Sequence, residues 1–262
     1  MSDPLGGTTI PLSGQTLVEG KDLRATVTWF TVNDVAVAGI ALHWAGSDNE
    51  ASDTEMLGRT LAMLSDGLAS RGIQLRWVQD TLLDATDEYL EAIAAGAGFA
   101  EHERQVVLRT RVGGDAGPAG SPGAGRPLDA EADGGRWAQL VARIPEVAGT
   151  SPLPPTQSPD RVTVVADAGP DELTAFCWAR VSRSAPGAPA TAEVYGLGAV
   201  PAAEARDRRR AALVAMGDLL AAEGIRTLSM AADEDDDALR EELAALGFTP
   251  RRQRRTFSRA GR

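Results

Sequence analysis

The sequence predicts an α/β protein built as two similar units in tandem. Three observations carry that prediction: an order of helix, strand, helix and strand that occurs twice, glycines that close the helices at matching places, and a glycine- and proline-rich stretch between the copies. The first copy runs from Gly58 through Gly72, Ile73, Gly98 and Phe99 to Arg109. The second runs from Arg209 through Gly224, Ile225, Gly247 and Phe248 to Arg259. Leu61, Leu64 and Leu68, and again Leu213, Met216 and Leu220, recur at helical spacing. Each helix stops at a glycine, Gly72 or Gly224, as a C-terminal cap would.

A strand follows each of these helices, over 73–78 and 225–230. An acidic stretch, 84–88 or 233–237, then opens a second helix, where carboxylates face the positive end of the helix dipole. That helix ends in Gly-Phe, and a last strand follows over 104–112 or 252–259. Repeats of this length are duplicated domains, since solenoid units have periods of about 20 to 50 residues. The predicted boundaries are 1–112 for the first unit, 113–127 for a flexible linker and 128–262 for the second unit. Residues 128–149, with Trp137, Leu140, Val141 and Ile144, could form a short helix, and 151–155 an extended loop. Strands are predicted over 162–166, 173–181 and 192–200. Residues 23–31 and 35–44 read as the equivalent hairpin of the first unit, which lacks the opening helices and is an incomplete copy.

The bulk composition excludes several classes. No stretch approaches the roughly 18 to 20 apolar residues of a membrane span. Residues 1–20 carry no basic segment followed by an apolar run, so no signal peptide is expected. The lone Cys177 rules out an intramolecular disulfide and a cysteine-rich zinc site, and a cytosolic location is expected. The net charge of −11 argues against nonspecific binding to nucleic acid or anionic lipid. Lys21 is the only lysine. The Ala, Gly and Arg bias resembles that of a high-GC bacterial genome.

The segment Tyr195-Gly196-Leu197-Gly198-Ala199-Val200-Pro201-Ala202-Ala203 resembles the fourth strand of the GNAT (GCN5-related N-acetyltransferase) superfamily, whose L-x-V-x-P end precedes the acyl-CoA loop. Glu204 to Arg209 then falls on the family's R-G-R-G-L-G, and Arg210-Ala211-Ala212-Leu213 on R-A-L-L. Gly224 and Ala245-Leu246-Gly247-Phe248 follow at the family spacing. The resemblance covers the second unit from about Val162 to the end and, more weakly, the first from Leu23 to Val112. It implies two GNAT-like units, each a mixed and mostly antiparallel sheet with flanking helices. It also implies an acyl-CoA donor, such as acetyl-CoA, held by Leu197, Ala199, Arg206, Arg208, Arg209, Arg210 and Ala211.

The loop chemistry is altered in both copies. Glycines let a backbone wrap a diphosphate with its N–H groups. Asp207 and Arg209 hold the two key glycine positions and Glu204 the leading basic one; in the first unit only Gly58 survives, beside Met56 and Asp53. Such loops are degenerate. In the second unit Arg206, Arg208, Arg209 and Arg210 could grip phosphate by side chain, or form a solvated, salt-bridged helix start near the acids 233–237.

Acyl transfer needs a base for the attacking amine and benefits from an acid for the leaving thiolate. Family members often place a glutamate on the fourth strand. Glu193 is there, and period-two alternation puts Glu193, Tyr195, Leu197 and Ala199 on one face. Glu193 is the candidate base and Tyr195 a second polar group; the alternative is an edge glutamate facing solvent. The family's thiolate-protonating tyrosine position holds Leu243 in the second unit and Ala94 in the first, and Tyr89 does not match it. His43 reads as structural, His102 as solvent-facing in a polar turn and Cys177 as a buried small hydrophobe. The acids 233–237 read as a solvated helix cap, with no metal site expected. The basic tail 251–259 reads as the exposed side of a last strand, or as a contact for an acyl carrier or acidic partner.

Two functions follow from these residues. One is a GNAT-type acyltransferase moving an acyl group from acyl-CoA, or a carrier thioester, to a small amine in the second unit. The other is a repurposed module that has lost acyl-CoA and serves as a ligand-binding or scaffold protein. No membrane partner is expected, and nucleic acid is disfavoured.

Overall fold

The computed structural model describes residues 13–19, 23–32, 35–44, 50–83, 88–113, 125–144, 161–169, 172–183 and 189–259. The acids at 84–87, residues 114–124 of the linker stretch and the loop 151–155 lie outside them. The described residues form eleven strands and five helices, a mixed α/β architecture. Contacts divide the chain into two units, Met1–Gln105 with Arg252–Arg262, and Val106–Arg251.

The first unit holds β1 (Ser13–Glu19), β2 (Leu23–Val32), β3 (Val35–Trp44), α1 (Glu50–Ala69), β4 (Gln74–Leu82), α2 (Glu88–Gly96), the start of β5 (Phe99–Arg111) and most of β11 (Thr249–Arg259). The strand order is β1-β2-β3-β4-β11-β5. Strand β3 is antiparallel to β2 and parallel to β4, and β11 is antiparallel to β4. Strand β1, in a stretch without a strand prediction, pairs with β2. The α1 stripe of Leu57, Leu61, Leu64 and Leu68 is buried with Ile40, Leu42, Trp77 and Ile93. The last strand completes this core: Phe257 stacks on Trp77 with ring centroids 4.8 Å apart.

The tail is more buried than its composition predicts. Arg255 is fully buried, reaching Glu91 at 3.1 Å and Glu101, with its guanidinium 5.1 Å from the Phe257 ring. Arg254 holds Asp80 at 2.7 Å and Arg259 holds Asp66 at 2.5 Å. Carboxylates from four other elements supply the counter-charge that lets these arginines leave water. His102 lies in β5, not in a turn, because the strand starts at Phe99; it is exposed.

The second unit holds the rest of β5, β6 (Gly125–Pro127), α3 (Ala130–Ala142), β7 (Arg161–Gly169), β8 (Glu172–Ser182), β9 (Thr191–Ala199), α4 (Ala205–Ala222), β10 (Thr227–Asp233) and α5 (Asp237–Ala244). From β5 the order runs β5-β10-β9-β8-β7-β6. Strands β6 to β9 pair antiparallel, and β10 is parallel to β9. Ala175, Cys177, Ala179 and Val181 of β8 face a core with α4, while Phe176 lies in another with Trp137, Leu140 and Ile144 around α3. Cys177 is buried, and burial raises its thiol pKa well above the ordinary range.

Residues 125–127, at the end of the glycine- and proline-rich stretch, form β6 because Arg126 ties three elements together. It holds buried Asp133 of α3 at 2.6 Å and Asp167 of β7 at 2.8 Å. Asp129 caps α3 by accepting from the N–H groups of Glu131 and Ala132, both at 3.0 Å.

Both predicted glycine caps occur. Gly72 and Gly224 have φ of +72° and +80°, and the following Ile73 and Ile225 donate back to Leu68 and Leu220. Gly98 and Gly247 close the shorter helices in the same left-handed conformation. Asp236 caps α5 by accepting from Leu239 N–H at 3.0 Å.

Two outcomes are expected. Phe257→Ala removes a buried ring from the first unit's core and should cost about 3–5 kcal/mol in chemical denaturation, although it lies on the last strand. Glu101 is held down to about 2, chiefly by its hydrogen bond from Arg104 and then by Arg255. Its folded pKa is depressed, so its contribution is complete above the unfolded value of about 4.3 and is lost as pH falls toward the folded value. Glu101→Gln should flatten the stability loss across that window in acid titrations followed by circular dichroism.

Candidate functional site

The candidate site of the second unit is built on one irregularity in β9. Its register with β8 shifts between Trp178 and Ala179: Ala179 pairs with Val194 and Trp178 with Gly196, so Tyr195 is an extra residue. This is a β-bulge, and it reverses the alternation beyond it. Val194 and Ala192 face the α4 core before the bulge, and Leu197 and Ala199 face the same core after it. Tyr195 lies on the other face, where its ring stacks on Trp178 at 5.3 Å and its hydroxyl lies 3.3 Å from Glu193 Oε2. The single face predicted for Glu193, Tyr195, Leu197 and Ala199 is therefore corrected. Glu193 and Tyr195 share one face, and the inserted residue turns Leu197 and Ala199 to the other.

Glycines allow this packing. A Cβ on Gly196 would lie 2.2 Å from Trp178 Nε1, and one on Gly198 2.7 Å from the Phe176 ring. The rings of β8 thus lie against bare β9 backbone.

The bulge also marks where β9 leaves β10. Their parallel pairing runs from Thr191/Thr227 to Val194/Met230, yet β9 continues to Ala199 and β10 to Asp233. Past Val194 this edge of β9 has no strand paired to it among the described residues. Beyond its end, α4 begins at Ala205, with Glu204 at the N-cap making no side-chain cap bond. The stretch matched to the family loop, 204–209, is helical from Ala205 onward.

The arginines there divide into two sets. Arg209 holds buried Glu242 of α5 at 2.8 Å, rather than the acids 233–237, and Arg208 lies 3.6 Å from Glu204. Arg206 and Arg210 are exposed. Ala211, the next residue, is half-buried. Leu243 is fully buried in the α4 core, so the tyrosine position is an apolar packing site.

The first unit repeats the parting of strands and lacks the bulge. Strands β3 and β4 pair from Val37/Gln74 to Ile40/Trp77, then part, and β3 keeps an unbroken register with β2. Trp44 at the end of β3 lies 6.0 Å from Tyr89 of α2. Burial, and then the charge of Asp53, raise the Tyr89 pKa. Asp53 and Met56 lie in the first turns of α1, and Gly58 deeper in it, 3.6 Å by its Cβ position from the Ile93 carbonyl. Gly58 is a helix-packing position here. His43 is exposed on β3.

No family model matches the sequence, and no curated protein does. Solved structures do. A GCN5-related N-acetyltransferase from Kribbella flavida aligns with a TM-score of 0.66 at 15% identity, over 95% of this chain and 91% of its own. A GCN5-related N-acetyltransferase from Sphaerobacter thermophilus aligns at 0.59 and 11% identity, over 94% and 84%. The N-myristoyltransferase of Saccharomyces cerevisiae, solved with bound myristoyl-CoA, aligns at 0.54 and 10% identity, over 91% and 64%. The fold is the GNAT fold.

Within this GNAT fold, sequence reasoning placed Glu193 and Tyr195 together and missed the bulge between them. It also missed Trp178, and Arg161 of β7, whose guanidinium lies 4.2 Å from the Trp178 ring centroid. The available signal was Gly196 and Gly198 facing Trp178 and Phe176 across the strand pair. Among the described residues no cluster of His, Cys, Asp and Glu could hold a metal ion, and no helix is long and apolar enough to cross a membrane. Gly196→Ala should displace the Trp178 indole, costing about 1–3 kcal/mol. Tryptophan emission and thermal melting would both register the change; an unaltered spectrum would show that the aromatic stack does not depend on the bare backbone.

Proposed function

We propose that the chain is a cytosolic GNAT-type acyltransferase whose second unit moves an acyl group from acyl-CoA to a small amine. The observation that carries the reading is the coincidence, at one place, of the Tyr195 bulge, the unpaired β9 edge and the start of α4. An unpaired strand edge offers backbone N–H and C=O groups to an extended, amide-bearing chain such as a pantetheine arm. A helix N-terminus favours a diphosphate, and exposed Arg206 and Arg210 stand at that helix start. Arg209 is engaged by Glu242 and is assigned to structure.

Acyl-CoA, when bound, supplies the activated acyl group. Glu193 takes the proton from the attacking ammonium, and Tyr195, whose hydroxyl is at hydrogen-bond distance from Glu193, is the hydroxyl assigned to the leaving sulfur. The first unit is a structural partner. Where its strands part, Trp44 meets Tyr89 beside the carboxylates of α1, and an anionic ligand would meet Asp53. The topologically matching positions of the second unit hold the small residues Ala199 and Ala238.

One observation favours a second reading. Side chains occupy every position of 204–210, Glu204 stands at the N-cap and Leu243 replaces the acid, which suits a ligand-binding module that has left acyl-CoA chemistry.

Titration of the full chain with acetyl-CoA by calorimetry separates the two. The acyltransferase reading expects binding that weakens roughly tenfold in the Arg206→Ala, Arg210→Ala double variant, a change of about 1.4 kcal/mol, and is unaltered in Trp44→Ala. No heat at millimolar acetyl-CoA supports the second reading. Once an acceptor is found, Glu193→Gln should lower kcat by about 10²–10⁴-fold; undiminished turnover removes Glu193 as the base.

A further inference from the structure

Three hydrogen-bond donors on the α3 side of the second unit have no acceptor among the described residues: Arg161 Nε, Thr163 Oγ1 and Trp137 Nε1. Thr163 is 8% exposed and Trp137 5%. A buried donor without a partner is costly, and Arg161 and Thr163 stand two residues apart on one face of β7.

Arg161 stands apart from the other arginines drawn off the surface. Arg126, Arg209, Arg254 and Arg255 each meet a carboxylate. Arg161 instead rests against the Trp178 ring, and burial lowers its guanidinium pKa. Trp178 stacks in turn on Tyr195, whose hydroxyl meets Glu193. Register places Arg161, Arg180 and Glu193 in one row across β7, β8 and β9. Two strand spacings separate the ends of that row by about 10 Å, with Arg180 on the strand between them. Thr163 pairs with Trp178 in the next row.

We infer that Arg161 and Thr163 bind the acidic group of the amine acceptor, so that the acceptor is a short amine carrying a carboxylate or a phosphate. Its amino group lies toward Glu193 and its anion at Arg161, with Arg180 between the two ends and the Trp178 and Tyr195 rings alongside. The orientation of the amine toward Glu193 rests on the acyltransferase reading; the anion site rests on Arg161, Thr163 and Trp178 alone. A guanidinium that meets no carboxylate among the described residues repels a second ammonium, so a diamine is disfavoured.

The test is calorimetry on the full chain without any thioester, so that its outcome is independent of acetyl-CoA binding. The probes are 4-aminobutyrate, phosphoethanolamine and 1,4-diaminobutane. One or both anionic amines should bind wild-type protein and Arg143→Gln, a control at the exposed Glu172 pair. Which of the two binds tells carboxylate from phosphate. The diamine should not bind. Affinity should fall tenfold or more in Arg161→Gln and less in Arg161→Lys, which keeps the charge. Thr163→Val removes an unpartnered hydroxyl, so it should fold at least as well as wild type and still bind several-fold more weakly. The inference is overturned if neither anionic amine binds at millimolar concentration, if the diamine binds equally well, or if folded Arg161→Gln or Thr163→Val retains full affinity.

Discussion

The arrangement of the second unit depends on one extra residue in β9. A strand can present only every other side chain to a given face, and a pair of parallel strands held along its whole length leaves no edge free. The bulge at Tyr195 relaxes both constraints together. It hands the α4 core from Val194 to Leu197 without a gap, turns Tyr195 and Glu193 to the opposite face, and coincides with the end of the pairing to β10. Gly196 and Gly198 make this possible by letting Trp178 and Phe176 lie directly on the strand backbone.

The first unit shows what the same topology does without that residue. Strands β3 and β4 part after the same number of paired residues as β9 and β10. There, however, the regular alternation of β3 continues, and its last residue, Trp44, meets Tyr89 instead of leaving room. Bulky aromatics and a nearly buried Asp53 are compatible with a core and unsuited to a diphosphate. Parting strands alone are thus a property of the fold; what stands between them is a property of the side chains.

The elements were legible because their signals are local. Leucine spacing fixes α1 and α4, the left-handed glycines fix where they end, and alternation fixes β7 and β8. The site was legible only in part. Glu193 and Tyr195 could be found by position, but a bulge inserts a residue without any obligatory residue type, so counting by twos from Glu193 carried Leu197 and Ala199 to the wrong face. The basic tail misled in a similar way. Arg255 reads as a surface charge until Glu91 and Glu101, far away in sequence, are brought to it by the sheet. The start of α1 and α4 was also hidden, since a family loop and a helix's first turn accept the same polar residues.

The membership of β11 in the first unit bears on how the chain is made. Trp77 is synthesised long before Phe257, the ring that covers it, and Arg255 follows both of its carboxylate partners by a similar interval. As the chain emerges from the ribosome, the amino-terminal unit must wait with its β4 edge unpaired until residues 252–258 leave the exit tunnel. A growing chain stalled before residue 252 would present that edge to solvent and to other chains, a hazard for aggregation. The amino-terminal unit is therefore complete only once residues 106–251 have been made.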